Sequence, residues 1–414
     1  MRRRDFLRLS AFVGASATFR ARAAEARMKA RVVIVGGGFG GSSCALELRR
    51  LDQGMDVTLV DPDLRYVTCP MSNEALIGLR DLASLTVTRA GLAAAGVRHV
   101  RDRATAIDAK AGTVRTARGT TIAFDRLVVA PGIRFLWGTP EGYDEAASAI
   151  MPHAWKAGDQ TKRLAMQLRA MKDGGVVAIS VPSGLMRCPP APYERASLIA
   201  GFLKAHKPRS KILIFDANNH FPRQDVFTAE WRSRYSGMID WLAMTPVLRV
   251  DTAKSILHTA NGLQPVAVAN VIAPQAPGEI AADAGLATGH GWCPVDPVTF
   301  ESKLVPRVHV VGDACIAGAM PKSASSAHSQ ARRCAAAIAA LLDGRTPSRP
   351  TFDSVCYSLI APKEALSIHG KFEVADGQIR LADEPSARMP APGADEAMRA
   401  QAWYRAIRAE AFGV

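Results

Sequence analysis

The stretch ARVVIVGGGFGGSSCALELRRL, residues 30–51, decides the fold class. Val32 to Val35 form an apolar run that reads as a buried strand. Gly36, Gly38 and Gly41 follow in G-x-G-x-x-G spacing, and a helix-forming segment begins behind them. Glycines so placed let the backbone turn tightly and approach a pyrophosphate, whose charge rests on the helix N-terminus. Alone the motif is weak. It gains weight from MDVTLVDPD (55–63), a second apolar strand ending in Asp61, about 20 residues past Gly41, where a carboxylate accepts hydrogen bonds from a ribose 2′-hydroxyl. A dinucleotide-binding domain is expected at the start of the folded chain.

Two segments further along select FAD. FDRLVVAPGI (124–133), with its turn at Gly132, resembles the strand and turn that close the FAD domain of two-dinucleotide-domain flavoproteins. RVHVVGDAC (307–315) resembles their last strand, which ends in Gly-Asp, here Gly312 and Asp313. In that class the aspartate bonds the ribityl or pyrophosphate end of FAD. The same architecture carries a second glycine fingerprint, for NAD(P)H, after the first strand of an inserted domain. That strand is GGVVAISVP (174–182), but Ser183 to Pro192 hold a single glycine, Cys188 and three prolines. Proline has no N–H to offer a phosphate, and its ring blocks close approach. Nicotinamide binding is therefore expected to be lost, and Cys188 is the candidate for the place where electrons enter.

Composition frames these motifs. The 414 residues, 48% hydrophobic, are long for one core, and no apolar run spans a bilayer. Residues 1–23 couple a basic start to a short apolar stretch and end in Ala-Arg-Ala, and Arg3-Arg4-Asp5-Phe6-Leu7 resembles a twin-arginine export signal. Its removal takes the formal charge from +14 to +9. Scattered solvated Lys and Arg account for the remainder, and no nucleic-acid module is visible. The nine His show no metal-ligand spacing and no C-x-x-C-H occurs, so neither a metal nor a haem is expected on this chain.

Seven stretches carry a more specific resemblance: YVTCPMSNEALIG, MPHAWKAGDQT, RCPPAPYERAS, FLKAHKPRSKI, GWCPVDPVTFES, VGDACIAGAMPKSASSAHSQA and CYSLIAP. Taken in order, they resemble the flavoprotein subunit of flavocytochrome c sulfide dehydrogenase. That resemblance implies a redox-active disulfide over the flavin, made by Cys188 and Cys356, which spacing alone would not pair. It implies a thioether from Cys69 to the flavin 8-methyl carbon, although Pro70 follows Cys69 where an aromatic residue can stand. It also implies that hydrosulfide attacks the disulfide and that a separate c-type cytochrome subunit takes the electrons, in the periplasm.

Read from the residues themselves, alternatives stay open. A disulfide in an exported protein is also an ordinary structural staple. Cys69 reads equally as a buried or free thiol, and Glu194, the candidate proton acceptor, as a helix-start glutamate. Cys44 and Cys334 read as core, whereas Cys293 and Cys315 border flavin-side segments without a motif. A sulfide:quinone oxidoreductase and a flavin-containing electron-transfer subunit without sulfide turnover are the competing functions. The expected architecture is α/β, with a Rossmann-like FAD domain over 30–141 and 283–350. A degenerate NAD(P)-type domain at 142–282 carries Cys188, and a C-terminal flavin-side or interface region of α+β character occupies 351–414. Its last helix is expected to bury Met398, Ala402 and Ile407 on one face.

Overall fold

The computed structural model describes residues 30–289, 291–382 and 389–414, so the expected export signal at 1–23 lies outside the described residues. Strand β1 (Arg31–Val35) leads into helix α1 (Phe39–Leu51), followed by β2 (Asp56–Val60), β3 (Arg98–Val100) and β4 (Arg126–Val129). Helix α2 (Asp159–Ala170) then precedes β5 (Val176–Val181), α3 (Ala191–His206), β6 (Lys211–Asp216), β7 (Ile239–Leu242) and β8 (Val268–Val271). The chain continues through β9 (Val308–Val310) and α4 (Ala324–Leu342). It ends with the antiparallel meander β10 (Thr351–Ala361), β11 (Glu364–Ala375) and β12 (Gln378–Leu381), and with α5 (Ala394–Phe412).

Two parallel sheets organise these elements. The first has the order β9-β4-β1-β2-β3, the second β7-β6-β5-β8, and every pairing in both is parallel. Helices cover both faces of such sheets, which is why their strands read as unbroken apolar runs rather than alternating ones. Val32, Val33 and Ile34 are almost wholly buried, as are Val177, Ala178 and Ile179. Where the chain passes from one sheet to the other and back, Ile133–Phe135 and Gln275–Pro277 pair antiparallel. The FAD-type Rossmann fold and its two-dinucleotide-domain plan are thus present.

The C-terminal region closes over the first sheet. α3 and α4 both pack on β10, which sets Cys356 between the beginnings of two helices, and α5 lies against α1 and β11. The expected face of α5 is wrong. Met398 is 63% exposed and Ala402 is exposed, whereas Ala400, Tyr404, Ile407, Ala411 and Phe412 are buried. Met398 and Ile407 are nine positions apart, which at about 3.6 residues per turn puts them on opposite sides of the helix.

Candidate functional site

The glycine loop is built from close approaches. Gly36 has φ +96°, and a Cβ there would lie 2.3 Å from the Ala130 carbonyl oxygen. A Cβ on Gly41 would lie 1.8 Å from the Gly36 oxygen, so the helix can meet the strand only without a side chain. Gly38 differs: its nearest neighbour is the Tyr66 hydroxyl at 3.7 Å, and it borders a cavity. Gly38 also caps α1, with no side chain bonded to the first-turn N–H groups. Those groups are the donors a phosphate takes.

Asp61 holds this loop rather than lining the cavity. Its Oδ2 accepts from Gly37 N at 2.6 Å and its Oδ1 from Arg89 Nη2 at 2.9 Å. Arg89, 6% exposed, also donates to the Gly37 oxygen and to the Asp63 oxygen at 3.2 Å. No sequence signal singled out Arg89, because its partners come from two other segments.

The cavity encloses about 1160 Å³, part of it open to solvent. Gly38, Cys69, Gly132, Gly312 and Asp313 line it, and so do Cys188, Glu194 and Cys356. Gly36, Gly41 and Asp61 lie behind the wall as loop supports. A glycine cradle and an uncapped helix N-terminus opening on this cavity fit FAD.

Cys188 reaches the cavity through an unusual backbone. It adopts the left-handed conformation, φ +51°, which costs a non-glycine residue of order 1–2 kcal/mol. Two hydrogen bonds hold it there: its N–H donates to the Lys322 oxygen at 2.7 Å, and its oxygen accepts from Ala191 N at 3.0 Å. α3 starts at once, behind Pro189 and Pro190 and with Pro192 in its first turn. Tyr193 N and Glu194 N both turn back to the Pro190 oxygen. The first turn of α3 therefore has no free N–H to offer a second pyrophosphate.

The strand end beside that loop is also spent. In a nucleotide domain the acid at the end of the second strand binds ribose. Here Asp216, at the end of β6 and fully buried, accepts from Tyr193 Oη at 2.5 Å, Trp241 Nε1 at 2.8 Å and both nitrogens of Asn218 at 2.9 Å. Tyr193 stacks on Phe221, with ring centroids 3.6 Å apart.

Glu194 stands in the first turn of α3 and faces the thiols. Its Oε1 accepts from Leu359 N at 3.0 Å and its Oε2 from Asn73 Nδ2 at 2.8 Å. Burial pushes its carboxyl up to about 7 against those two bonds, which pull the other way. Burial likewise raises the Cys356 thiol to about 11, with the Ser323 hydroxyl opposing it. Cys188 is also pushed well above the ordinary thiol value, by burial first and then by Cys356 and Glu194. All seven cysteines are unbonded thiols in this structure. Cys44 and Cys334 are core residues as expected, and Cys293 pairs with Cys315 across two short parallel strands.

Arg195 is a second residue that sequence reading passed over. Its guanidinium, 2% exposed, bonds only neutral acceptors: Asn73 Oδ1 at 3.0 Å, Asn270 Oδ1 at 2.7 Å, the His153 oxygen at 3.1 Å and the Ala154 oxygen at 2.7 Å. Burial lowers it to about 10, with Glu194 and Cys188 pulling upward. An uncompensated cation beside Cys188 favours negative charge on that sulfur.

Comparison with known proteins follows the same division. Residues 30–147 match the pyridine nucleotide-disulphide oxidoreductase family model. Residues 161–273 match the model for the central part of the sulfide dehydrogenase [flavocytochrome c] flavoprotein chain. Residues 348–412 match the flavin-binding model of flavocytochrome c sulphide dehydrogenase. A sulfide dehydrogenase [flavocytochrome c] flavoprotein chain from Chlorobaculum thiosulfatiphilum is 63% identical over 43 residues, 10% of this chain and 90% of that sequence. The sulfide-quinone reductase of Aquifex aeolicus is 28% identical over 253 residues, 57% of this chain and 55% of that one. The mitochondrial sulfide:quinone oxidoreductase of Dictyostelium discoideum is 23% identical over 298 residues, 68% of this chain and 65% of that one. The chain thus spans less than two thirds of these two relatives' length. In fold, the solved sulfide:quinone oxidoreductase of Aquifex aeolicus superposes with a TM-score of 0.74 at 20% identity, covering 93% of each chain. With two family models specific to one enzyme covering the segments that hold Cys188 and Cys356, and a flavin-binding fold beside them, this FAD-binding chain belongs to the flavoprotein subunits of flavocytochrome c sulfide dehydrogenase.

Proposed function

We propose that this chain oxidises sulfide through a Cys188–Cys356 disulfide set over FAD and passes the electrons to a c-type cytochrome. One observation carries the reading: two cysteines and a carboxyl raised to about 7 line the same cavity as Gly38 of the glycine loop. Hydrosulfide attacks one sulfur of the disulfide; that S–S bond breaks, a new one forms, and a persulfide and a thiolate result. We assign the attack to Cys188, the sulfur that interacts with the buried Arg195 guanidinium, with Cys356 leaving as the thiolate. Arg195 favours the charge on the Cys188 persulfide, and Glu194 takes its proton. A second hydrosulfide takes the outer sulfur from the persulfide and leaves two cysteine thiolates; FAD, when bound, would supply the two-electron acceptor that rejoins them as the disulfide and the one-electron donor to the cytochrome. Gly36, Gly38, Gly41, Gly132, Gly312, Asp61 and Asp313 form or support its cradle, and Cys69 carries it covalently.

The second nucleotide domain, about 142–282, does not take a nicotinamide, because the first turn of α3 has no free N–H for a phosphate and its ribose acid is occupied. Residues 351–414 complete the flavin side and the cytochrome contact. Export by the twin-arginine route delivers the folded, loaded protein to the periplasm. Quinone as acceptor is the second reading, favoured by the matches to sulfide:quinone oxidoreductases. Among the described residues no helix is long and apolar enough to cross a membrane.

Anaerobic sulfide titration tests the proposal. Sulfide bleaches the flavin of the wild type, Cys188→Ser and Cys356→Ser retain FAD but are not bleached, and cytochrome c reoxidises the reduced protein faster than a soluble quinone does. A structural staple predicts instead a stability loss of roughly 2–5 kcal/mol with activity falling only as the protein unfolds. A folded, flavin-loaded Cys188→Ser protein oxidising sulfide at the wild-type rate ends the mechanism.

A further inference from the structure

Arg187 precedes Cys188, and nothing above gives it a task. Its guanidinium meets three of the residues expected around the flavin. Nε donates to Asp313 Oδ2 at 2.6 Å, Nη1 lies 3.8 Å from Cys69 Sγ, and a Cβ on Gly132 would sit 3.1 Å from Nη2. Its backbone N–H, bonded to Gln275 Oε1 at 2.9 Å, anchors the segment. Cys69 Sγ faces a second polar group, the Trp155 carbonyl oxygen at 3.8 Å. The sulfur is therefore held between an acceptor for its proton and a fixed cation, at the edge of the cavity.

We propose that Arg187 is the catalytic group for attaching the flavin to Cys69, stabilising the ionised sulfur while its bond to carbon forms. The inference rests on the reading of Cys69 as the flavin-bearing residue. In the overall reaction one S–H bond of Cys69 and one C–H bond of the flavin 8-methyl group break and one C–S bond forms. Two electrons and two protons leave on dioxygen as hydrogen peroxide. The thiolate is the nucleophile, and an adjacent cation increases its share. Burial alone would weaken the charge on Arg187, but the Asp313 carboxylate and Cys69 outweigh it and hold the guanidinium protonated. Tyr66, Lys156, Cys188 and Arg195 also feel the charge on Cys69, but of these only Arg187 hydrogen-bonds to its sulfur.

The test uses the full chain purified without oxygen, carrying FAD, and admits air at time zero. Flavin that stays with the acid-precipitated polypeptide is followed with time in the wild type, Arg187→Gln, Arg187→Lys and Cys69→Ser. On the same samples, alkylation of Cys69 by iodoacetamide is followed by peptide mass spectrometry. Expected for Arg187→Gln is a loss of about tenfold or more in both rates at pH 7. Either rate unchanged at equal FAD occupancy overturns the inference. If Arg187→Gln does not retain FAD, the same criterion applies to Arg187→Lys, whose point charge cannot serve Asp313 and Cys69 together. Failure of the underlying reading looks different: the wild type itself then releases all its flavin into acid.

Discussion

Replacing Glu194 by glutamine turns a buried carboxyl into a neutral group of the same shape, and its effect on stability depends on pH. The carboxyl sits at about 7 in the folded chain, against about 4.5 for an ordinary glutamate. At about 1.4 kcal/mol per pH unit this gap is worth ~3 kcal/mol. The sign follows from proton uptake: between pH 4.5 and 7 the folded chain holds a proton that the unfolded chain has released. Stability therefore falls as pH rises through that window, and above pH 7 the full penalty is present. Arg195 and Asn73 do not remove it, because the cost of burial exceeds the help of the two hydrogen bonds to Leu359 N and Asn73. The neutral amide of Glu194→Gln carries no such penalty at any pH, so the variant gains on the wild type by ~3 kcal/mol between about pH 4.5 and pH 8. A constant offset from the altered contact with Asn73 shifts the level and leaves the slope alone. Urea unfolding of both proteins at pH 5, 6, 7 and 8 measures that slope. Parallel curves refute the assignment of an elevated carboxyl, and with it the proton acceptor. In sulfide-dependent flavin reduction the ratio of wild-type to variant rate rises through pH 7, an internal control against the titration of sulfide itself.

Other outcomes follow from the cradle and from the second nucleotide domain. Gly38→Ala folds normally, since its nearest neighbour is 3.7 Å from the new methyl, but loses FAD retention on gel filtration. Gly41→Ala drives a methyl into the Gly36 carbonyl and lowers the thermal midpoint of the whole chain, at a cost of about 1–3 kcal/mol or more. Excess NADH leaves the flavin oxidised in an anaerobic cuvette, and prompt stoichiometric bleaching would overturn the loss of nicotinamide binding. Arg89→Met weakens FAD retention without touching the cavity wall, by releasing Asp61 and the Gly37 oxygen; unchanged retention shows that the loop stands without it.

How far sequence carried this protein depended on whether a signal was local. The strands of both parallel sheets announced themselves as apolar runs, because strands buried on both faces have no polar side to interrupt them. Gly36 and Gly41 were legible because only glycine survives contacts of that closeness. The proline-rich loop was legible as an absence of donors. Arg89, Arg187 and Arg195 were not, because each acts on segments tens to more than a hundred residues away, and arginine carries no local pattern of its own. Cys188 and Cys356 came together through a family resemblance rather than from spacing, since β10, which carries Cys356, meets α3 only in the folded chain. The face of α5 was misread because a set of apolar residues was taken without laying it on the helix: Tyr404, an amphipathic side chain, is buried and bonded to Thr68 at 2.6 Å, whereas Met398 is left in solvent.

The contact between Tyr193 and Asp216 bears on descent as much as on chemistry. A loop that had merely lost its glycines could regain them one at a time, each step returning some affinity for a nucleotide. Here the acid that would greet the ribose is locked under a phenol, an indole and an asparagine, and the phenol is itself wedged in an aromatic stack. Putting glycines back leaves the acid shut, and clearing Tyr193 leaves a buried carboxylate stripped of a partner while the prolines still bar the phosphates. Every single reversal is a loss before it is a gain. Opening a nicotinamide site here is a concerted event, and an engineer who wants a nicotinamide-driven version must rebuild loop and strand end in one stroke.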